Sequence, residues 1–132
     1  AIMERIKRGD TDTMYEHINH PLEYVRAQIA YYGTDDMRER LMKDKASDVR
    51  AMVASTASED IVRRMVNDRS ATVRIEIAHR GIDEALDVLV HDTSSNVRHA
   101  VLDNARPQDV EILRNDTLGT IRKRAQKAIL QR

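Results

Sequence analysis

Apolar and charged positions along this chain recur with a fixed 24-residue period. In the central copy Asp68 is followed five and six residues later by Val73 and Arg74, and then by the apolar pair Ile77 and Ala78. The spacing of the three apolar residues places them on about one face of a helix. A step of one period in either direction finds the same pattern. The arginines at the equivalent position are Arg26, Arg50, Arg74, Arg98 and Arg122.

A second, shorter helical segment is predicted in each copy. It follows a position that holds only small residues, namely Gly9, Gly33, Ala57, Gly81 and Ala105. Thr34 and Ser58 then stand where a helix-capping side chain is expected, and Pro107 suits a first helical position. The segment continues to a fixed apolar position, occupied by Leu41, Met65, Leu89 and Leu113. Helices this short are marginal alone, so packing on their neighbours must stabilise them.

These patterns predict an all-α protein with no sheet, a single α-solenoid domain over residues 1–132. It is expected to contain about five 24-residue repeats of two helices each. The first helix of each repeat runs from about its fourth to its thirteenth residue, and the second begins at about the sixteenth. The predicted segments are a degenerate capping repeat at 1–19, repeats at 20–43, 44–67, 68–91 and 92–115, and a truncated capping repeat at 116–132.

The repeated unit Asp-x-x-x-x-Val-Arg-x-x-Val-Ala, followed by a small residue and an acidic helix start, resembles the leucine-rich repeat variant. This is a 24-residue relative of the HEAT and armadillo repeats. The resemblance implies a right-handed superhelix in which α-helical and 3₁₀ segments alternate. HEAT repeats share the Asp and Arg six residues apart, so a HEAT-like stack of short helices is the alternative. Some members of the variant family carry a cysteine-ligated iron–sulfur centre, which a chain without cysteine cannot bind.

Composition narrows the possible functions. The 22 basic and 22 acidic residues balance, so no net charge attracts the chain to nucleic acid or anionic lipid. There is no cysteine, and the five histidines lack the spacing of a zinc site. No phosphate-binding loop or nucleophile motif is present. We therefore expect a cytoplasmic protein that is not an enzyme and has no catalytic residues, metal or cofactor.

The repeated arginines have two interpretations. Five cations at one repeat position could contact the phosphates of a nucleic acid. Alternatively, each arginine lies near the positive end of a helix dipole and requires a carboxylate, and the aspartate six residues earlier is the obvious partner. The second interpretation is preferred and predicts a structural ladder of Asp44, Arg50, Asp68, Arg74, Asp92, Arg98, Asp116 and Arg122. In the first copy His20 replaces the aspartate, so Arg26 is expected to be the least satisfied arginine.

Tyrosines mark one candidate interaction surface. Tyr24 and Tyr31 are seven residues apart on one predicted helix, and Tyr32 is adjacent. Exposed tyrosine is a frequent anchor of protein interfaces, although these rings could instead cover the end of the stack. Other positions with the same expectation are the helix-row residues His79 and Arg80 and the basic residues Lys123, Arg124 and Lys127.

Two functions follow from these features. The preferred hypothesis is a non-catalytic module that binds an unidentified protein partner through its helix row. The alternative is a nucleic-acid-binding solenoid that contacts phosphates through the repeated arginines and the basic C-terminal helix. No membrane association is expected, because no apolar run approaches the ~18 residues of a span.

Overall fold

In the computed structural model, which describes residues 1–131, all regular structure in that range is α-helical and no strand occurs. The all-α prediction is confirmed. The helices are α1 (Ile2–Lys7), α2 (Thr11–His17), α3 (Glu23–Tyr32), α4 (Asp35–Leu41), α5 (Ser47–Thr56), α6 (Glu59–Arg64), α7 (Ala71–His79), α8 (Asp83–Leu89), α9 (Ser95–Leu102), α10 (Pro107–Leu113) and α11 (Gly119–Leu130). Helices α3, α5, α7, α9 and α11 begin at equivalent positions of the repeated pattern.

Two compact units divide the chain. The N-terminal unit is Ala1–Met65 and contains α1 to α6, and the C-terminal unit is Val66–Arg132 and contains α7 to α11. The boundary lies inside the predicted repeat 44–67. Each unit has an aliphatic core of its own.

The core of the N-terminal unit lies along α3. Helices α1, α2, α4 and α5 all pack against α3, and α6 packs against α5. Their contacts bury Ile6, Met14, Ile29, Met37 and Val53 completely. Removing a side chain of this size from water contributes roughly 1.5–3 kcal/mol, which compensates for the weak intrinsic stability of such short helices.

The core of the C-terminal unit lies along α9. Helices α7, α8, α10 and α11 pack against α9, and α10 also packs against α11. Val73, Ile77, Leu86, Val101 and Ile121 are fully buried between them. The apolar face that the spacing of Val73 and Ile77 predicted is therefore the face that packs.

Helix starts agree with two of the three predicted signals. The Thr34 side chain accepts a hydrogen bond from the main-chain N–H of Met37 at the start of α4, and α10 begins at Pro107. Ser58 precedes α6, but its side chain makes no capping hydrogen bond. Instead its own main-chain N–H donates to Asp35 at 3.3 Å.

The second segments are α-helical, which corrects the 3₁₀ geometry implied by the resemblance. Within residues 1–131 no 3₁₀ helix occurs. At the ends of α4, α8 and α10 the main-chain N–H groups of Met42, Val90 and Arg114 donate to the carbonyl four residues earlier, at 2.8, 3.0 and 2.9 Å. Burial of an apolar stripe on each segment favours the 3.6-residue turn, since it keeps side chains three and four residues apart on one face.

The small-residue position serves two different purposes. Gly9, Gly81 and Ala105 have positive φ values of 84°, 68° and 51°, so the chain turns there through the left-handed region. At Gly33 the backbone is extended, but a side chain there would lie 2.5 Å from the carbonyl oxygen of Ile29. Gly9, Gly81 and Ala105 therefore lie where the backbone must adopt a positive φ, whereas Gly33 lies where no side chain would fit.

Ala105 is the one non-glycine residue in the described chain with a positive φ, and this predicts a stabilising substitution. Changing Ala105 to glycine should raise the free energy of unfolding by about 1 kcal/mol, because glycine has no Cβ to oppose the left-handed conformation. Urea unfolding of both proteins measures the change. Ala57, at the equivalent position with φ −71°, is the matched control. Ala57→Gly should destabilise, and equal effects at the two positions would contradict the interpretation.

Candidate functional site

The repeated arginines bind carboxylates, but not the ones that the sequence predicted. Nε of Arg74 donates to Oδ2 of Asp92 at 2.8 Å, and its Nη2 donates to Oδ1 at 3.1 Å. Arg98 forms the same two bonds with Asp116, at 2.8 and 3.2 Å. Each of these arginines thus pairs with the first aspartate of the following repeat. The Asp68–Arg74 and Asp92–Arg98 side-chain pairings are wrong.

The aspartate six residues earlier contributes its main chain instead. Nη1 of Arg74 donates to the carbonyl oxygen of Asp68 at 2.9 Å, and Arg98 makes the equivalent bond to Asp92 at 2.8 Å. Arg50 and Arg122 likewise donate to the carbonyl oxygens of Asp44 and Asp116. Six residues of chain bring the guanidinium back over the preceding turn and its carbonyl groups, whereas the carboxylates of Asp92 and Asp116 bind the arginine of the preceding repeat.

Arg26 also differs from expectation, since its Nε, Nη1 and Nη2 atoms all donate hydrogen bonds. It donates to Asp44 through Nε at 2.8 Å and Nη2 at 3.2 Å, and to the carbonyl oxygen of His20 through Nη1 at 2.6 Å. Histidine at position 20 does not weaken the bonding of Arg26, because Arg26 binds only the main-chain carbonyl group of that residue. The side chains of Arg26 and Asp44 are only 6% and 8% exposed.

The ladder aspartates also accept a main-chain hydrogen bond within the turn that contains them. Oδ1 of Asp44, Asp92 and Asp116 accepts a hydrogen bond from the main-chain N–H two residues later, at 2.9, 2.8 and 2.8 Å. Burial acts to raise the pKa of Asp116, but the hydrogen bonds from Arg98 and from the Leu118 N–H outweigh it and hold that pKa below its ordinary value. The turn therefore presents an ionised carboxylate in a defined orientation.

The tyrosine surface is the strongest candidate for a binding site in the N-terminal unit. It consists of Leu22, Tyr24, Tyr31 and Tyr32 on and next to α3, with exposed fractions of 62%, 60%, 50% and 37%. The Tyr31 and Tyr32 rings meet edge to face with centroids 4.7 Å apart. Within residues 1–131 the three tyrosine hydroxyls form no hydrogen bond, so each ring offers both an apolar surface and a polar tip.

Arg38 holds the end of α3 that carries this surface. Its Nε donates to the carbonyl oxygen of Ala30 at 2.8 Å, and its Nη2 donates to that of Tyr31 at 3.0 Å. The last carbonyls of α3 are thereby paired with a cation, which also suits the negative end of the helix dipole. These hydrogen bonds hold the main chain at the end of α3, which carries Tyr31 and Tyr32, in a fixed position.

Tyr15, in contrast, uses its hydroxyl and its ring in contacts within the fold. Its hydroxyl donates to Oδ2 of Asp36 at 2.6 Å, and the guanidinium of Arg40 lies 5.2 Å from the centre of its ring. The hydrogen bond to Asp36 raises the pKa of Tyr15 above its ordinary value, with burial adding to the effect. Tyr15 links α2 to α4 and is not part of the tyrosine surface.

Asp103 links His79 and Arg124 in one polar network of the C-terminal unit. Oδ2 of Asp103 is 3.1 Å from Nε2 of His79, and Oδ1 of Asp103 accepts a hydrogen bond from Arg124. Arg124 also donates to the carbonyl oxygen of His99 at 2.7 Å. Burial acts to raise the pKa of Asp103, but bonding to Arg124 and His79 leaves that pKa lowered. Since Asp103 neutralises Arg124, this network is a weak site for anions.

The other predicted surface residues of this unit lie on α11 or at the end of α7. Lys123 and Lys127 lie on α11, and Arg80, which has an interaction partner, is partly exposed at the end of α7. No single site in the described part of the C-terminal unit brings all five predicted residues together.

Sequence reasoning missed the most elaborate ion cluster. Arg106 binds Asp109 through Nε and Nη2, both at 2.7 Å, and reaches Asp83 at 3.2 Å and Asp87 at 2.9 Å. Asp109 is fully buried. The bonds to Asp109 raise the pKa of Arg106. No other copy of the repeat has arginine at this position, so no periodic signal marked it.

The structure also reveals two grooves at equivalent repeat positions. One has a volume of about 310 Å³ and is lined by Asn19, His20, Pro21, Arg26, Asp44 and Lys45. The other, of about 380 Å³, includes the residues two repeats further along the chain, Asn67, Asp68, Arg69, Arg74, Asp92 and Thr93. Because a ladder ion pair forms one wall of each, Arg26 and Arg74 are already neutralised there. Within residues 1–131 no cluster of histidine and acidic side chains could hold a metal ion.

Comparison with known proteins identified no relative of this chain. No protein-family model matches the sequence, and neither curated proteins nor solved structures give a match. In the described residues no helix combines the length and apolar character needed to cross a membrane.

Proposed function

We propose that this chain is a non-catalytic module that binds a protein partner through the tyrosine surface. The observation that carries the proposal is the exposure of four large side chains, Leu22, Tyr24, Tyr31 and Tyr32, on and next to α3 of the N-terminal unit. Aromatic side chains of this kind provide much contact area for little conformational entropy. A partner that covers them would remove this apolar area from water.

The architecture proposed with this function is an α-solenoid of 24-residue repeats related to the leucine-rich repeat variant or to HEAT repeats. Three observations support it: helix starts that recur at one position of every repeat, two equivalent grooves, and ion pairs that join an arginine to the first aspartate of the following repeat. Arrays of this kind offer extended surfaces to partners, and terminal repeats differ from internal ones.

The hydrogen bonds and burial of the repeated arginines argue against the nucleic-acid alternative. Arg26 and Arg50 are buried, with exposed fractions of 5% and 3%, and Arg74 and Arg98 are bound to carboxylates. A phosphate contact would have to displace these partners. Arg122, Lys123 and Lys127 on α11 remain, but three cations give a weak electrostatic contribution.

Affinity capture from native cell lysate tests the proposal. We expect the wild-type chain to retain a protein that resists nuclease treatment, and the double variant Tyr24→Ser/Tyr31→Ser to lose at least about 90% of it, since interface anchors of this type dominate binding energy. The matched control is Ile112→Ser, which removes a similarly exposed apolar side chain (44%) in the C-terminal unit.

Two results would count against the module. Material released by nuclease would favour nucleic acid, and equal capture by the tyrosine double variant would place the binding surface elsewhere. Circular dichroism of each variant confirms that the helices are intact before capture is compared.

A further inference from the structure

Three side chains follow one another along an uncovered face of α3, namely Tyr24, Gln28 and Tyr31. They are four and three residues apart and so share one face of the helix. Tyr24 and Tyr31 are 60% and 50% exposed, and Gln28 is partly exposed between them. We name these three residues the α3 face. Helices α1 and α5 already pack against α3, so the α3 face is what these neighbours leave open.

The two rings of the α3 face are separated by the rise of the helix. Seven residues at about 1.5 Å each place Tyr31 roughly 10.5 Å beyond Tyr24 along the axis. A polyproline II helix repeats every three residues, which is about 9.3 Å. Prolines three positions apart in such a peptide therefore lie at nearly the spacing of the two tyrosines, and they point the same way. Each tyrosine offers a flat surface on which one proline ring packs.

Unused hydrogen-bonding groups lie on the same face. Among residues 1–131 the hydroxyls of Tyr24 and Tyr31 and the side-chain amide of Gln28 form no hydrogen bond. A polyproline II segment has no internal hydrogen bonds, so its carbonyl groups accept donors from outside. A helical partner binds most of its own carbonyl groups and would leave these donors unused. A strand partner requires the edge of a sheet, and residues 1–131 contain no strand.

Charge and rigidity also favour a neutral, stiff segment. The α3 face carries no ionised group, and the equivalent positions on α5 are Asp48, Met52 and Ser55, of which only Asp48 is charged. An anionic partner would therefore gain nothing here. Tyr32 meets the Tyr31 ring edge to face with centroids 4.7 Å apart, which restricts the rotation of that ring. A restricted ring loses little conformational entropy when it is covered.

We propose that the α3 face binds a proline-rich segment of the partner in the polyproline II conformation. Prolines three positions apart pack on Tyr24 and Tyr31, and carbonyl groups of the segment accept hydrogen bonds from the two hydroxyls and from the Gln28 amide. Because the segment and the helix are both stiff before they meet, little ordering accompanies binding. This inference rests on the proposed function, since it names the chemistry of the partner that the tyrosine surface binds.

Decaproline with blocked ends is the probe, and the same peptide made of D-proline is its matched control. The two have identical composition, length and apolar surface but opposite helical hand. NMR titration of the whole protein follows the tyrosine rings, which are distinct because the chain has no Phe or Trp. We expect saturable shifts at Tyr24 and Tyr31 but not at Tyr15. The affinity for the L-peptide should be at least about tenfold higher, as several directional hydrogen bonds would give.

Matched hydroxyl deletions test the donors one at a time. Tyr24→Phe and Tyr31→Phe keep the rings, and Gln28→Leu keeps the bulk of that side chain. Each variant should lower the affinity for L-decaproline about threefold to tenfold, the effect of one neutral hydrogen bond. Tyr15→Phe is the control, because it removes a hydroxyl that donates to Asp36 outside the α3 face. It should change the affinity less than about twofold.

Four results would each overturn the proposal: no saturable binding, equal affinity for the two hands, shifts at Tyr15 as large as those at Tyr24 and Tyr31, or full affinity in all three donor variants. Excess L-decaproline should also release the protein captured from lysate. If capture depends on Tyr24 and Tyr31 but decaproline does not bind, the proposed function stands with a partner of different chemistry. Capture that does not depend on these tyrosines would instead contradict the proposed function itself.

Discussion

Replacing Arg26 by alanine is expected to lower the free energy of unfolding by about 3–5 kcal/mol. The variant leaves the Asp44 carboxylate, 8% exposed, without the guanidinium that it faces at 2.8 and 3.2 Å. It also removes the donor from the His20 carbonyl oxygen. Asp44 keeps the N–H of Ala46, which is too little to balance a buried charge. Urea unfolding followed by circular dichroism measures the loss.

Arg64→Ala is the control for this effect. Arg64 also binds a carboxylate, that of Glu39 at 2.7 Å, but both side chains are nearly half exposed, at 46% and 47%. Solvent screens such a pair, so its removal should cost less than about 1 kcal/mol. Similar losses of unfolding free energy in the two variants would mean that burial does not determine how much the Arg26–Asp44 ion pair stabilises the fold. An unchanged stability of Arg26→Ala would refute the structural role of Arg26.

Replacing Asp109 by alanine is expected to cost about 2–4 kcal/mol. Asp109 is fully buried and accepts two hydrogen bonds of 2.7 Å from Arg106. The loss should be smaller than for a completely stranded charge, because Arg106 keeps Asp83 and Asp87. Thermal and urea unfolding of the variant report the change.

The comparison within this cluster is Asp87→Ala, which removes a carboxylate that touches the same guanidinium but is 65% exposed. We expect a loss below about 1 kcal/mol. Should Asp87→Ala prove as damaging as Asp109→Ala, the cluster would act as one cooperative network and not through its buried member. Asp109→Asn, which retains one acceptor oxygen, should lie between the two.

The sequence by itself determined where helices begin and which residues form the core. A fixed spacing of Val73, Ile77 and Ala78 is a local property, since helix geometry alone decides which side chains share a face. Thr34 and Pro107 marked helix starts for the same reason. Tyr24, Tyr31 and Tyr32 are exposed, and the interaction surface that their spacing indicated stays a prediction.

Only the tertiary structure decided which charges meet. Spacing along the chain made Asp68 the obvious partner of Arg74, but packing of α7 against α9 brings the carboxylate of Asp92 to that guanidinium. Arg106 was missed because its three acids come from two helices, α8 and α10. Helix periodicity is set by backbone geometry within one turn, whereas an ion pair depends on where another helix lies, and the linear sequence does not contain that position.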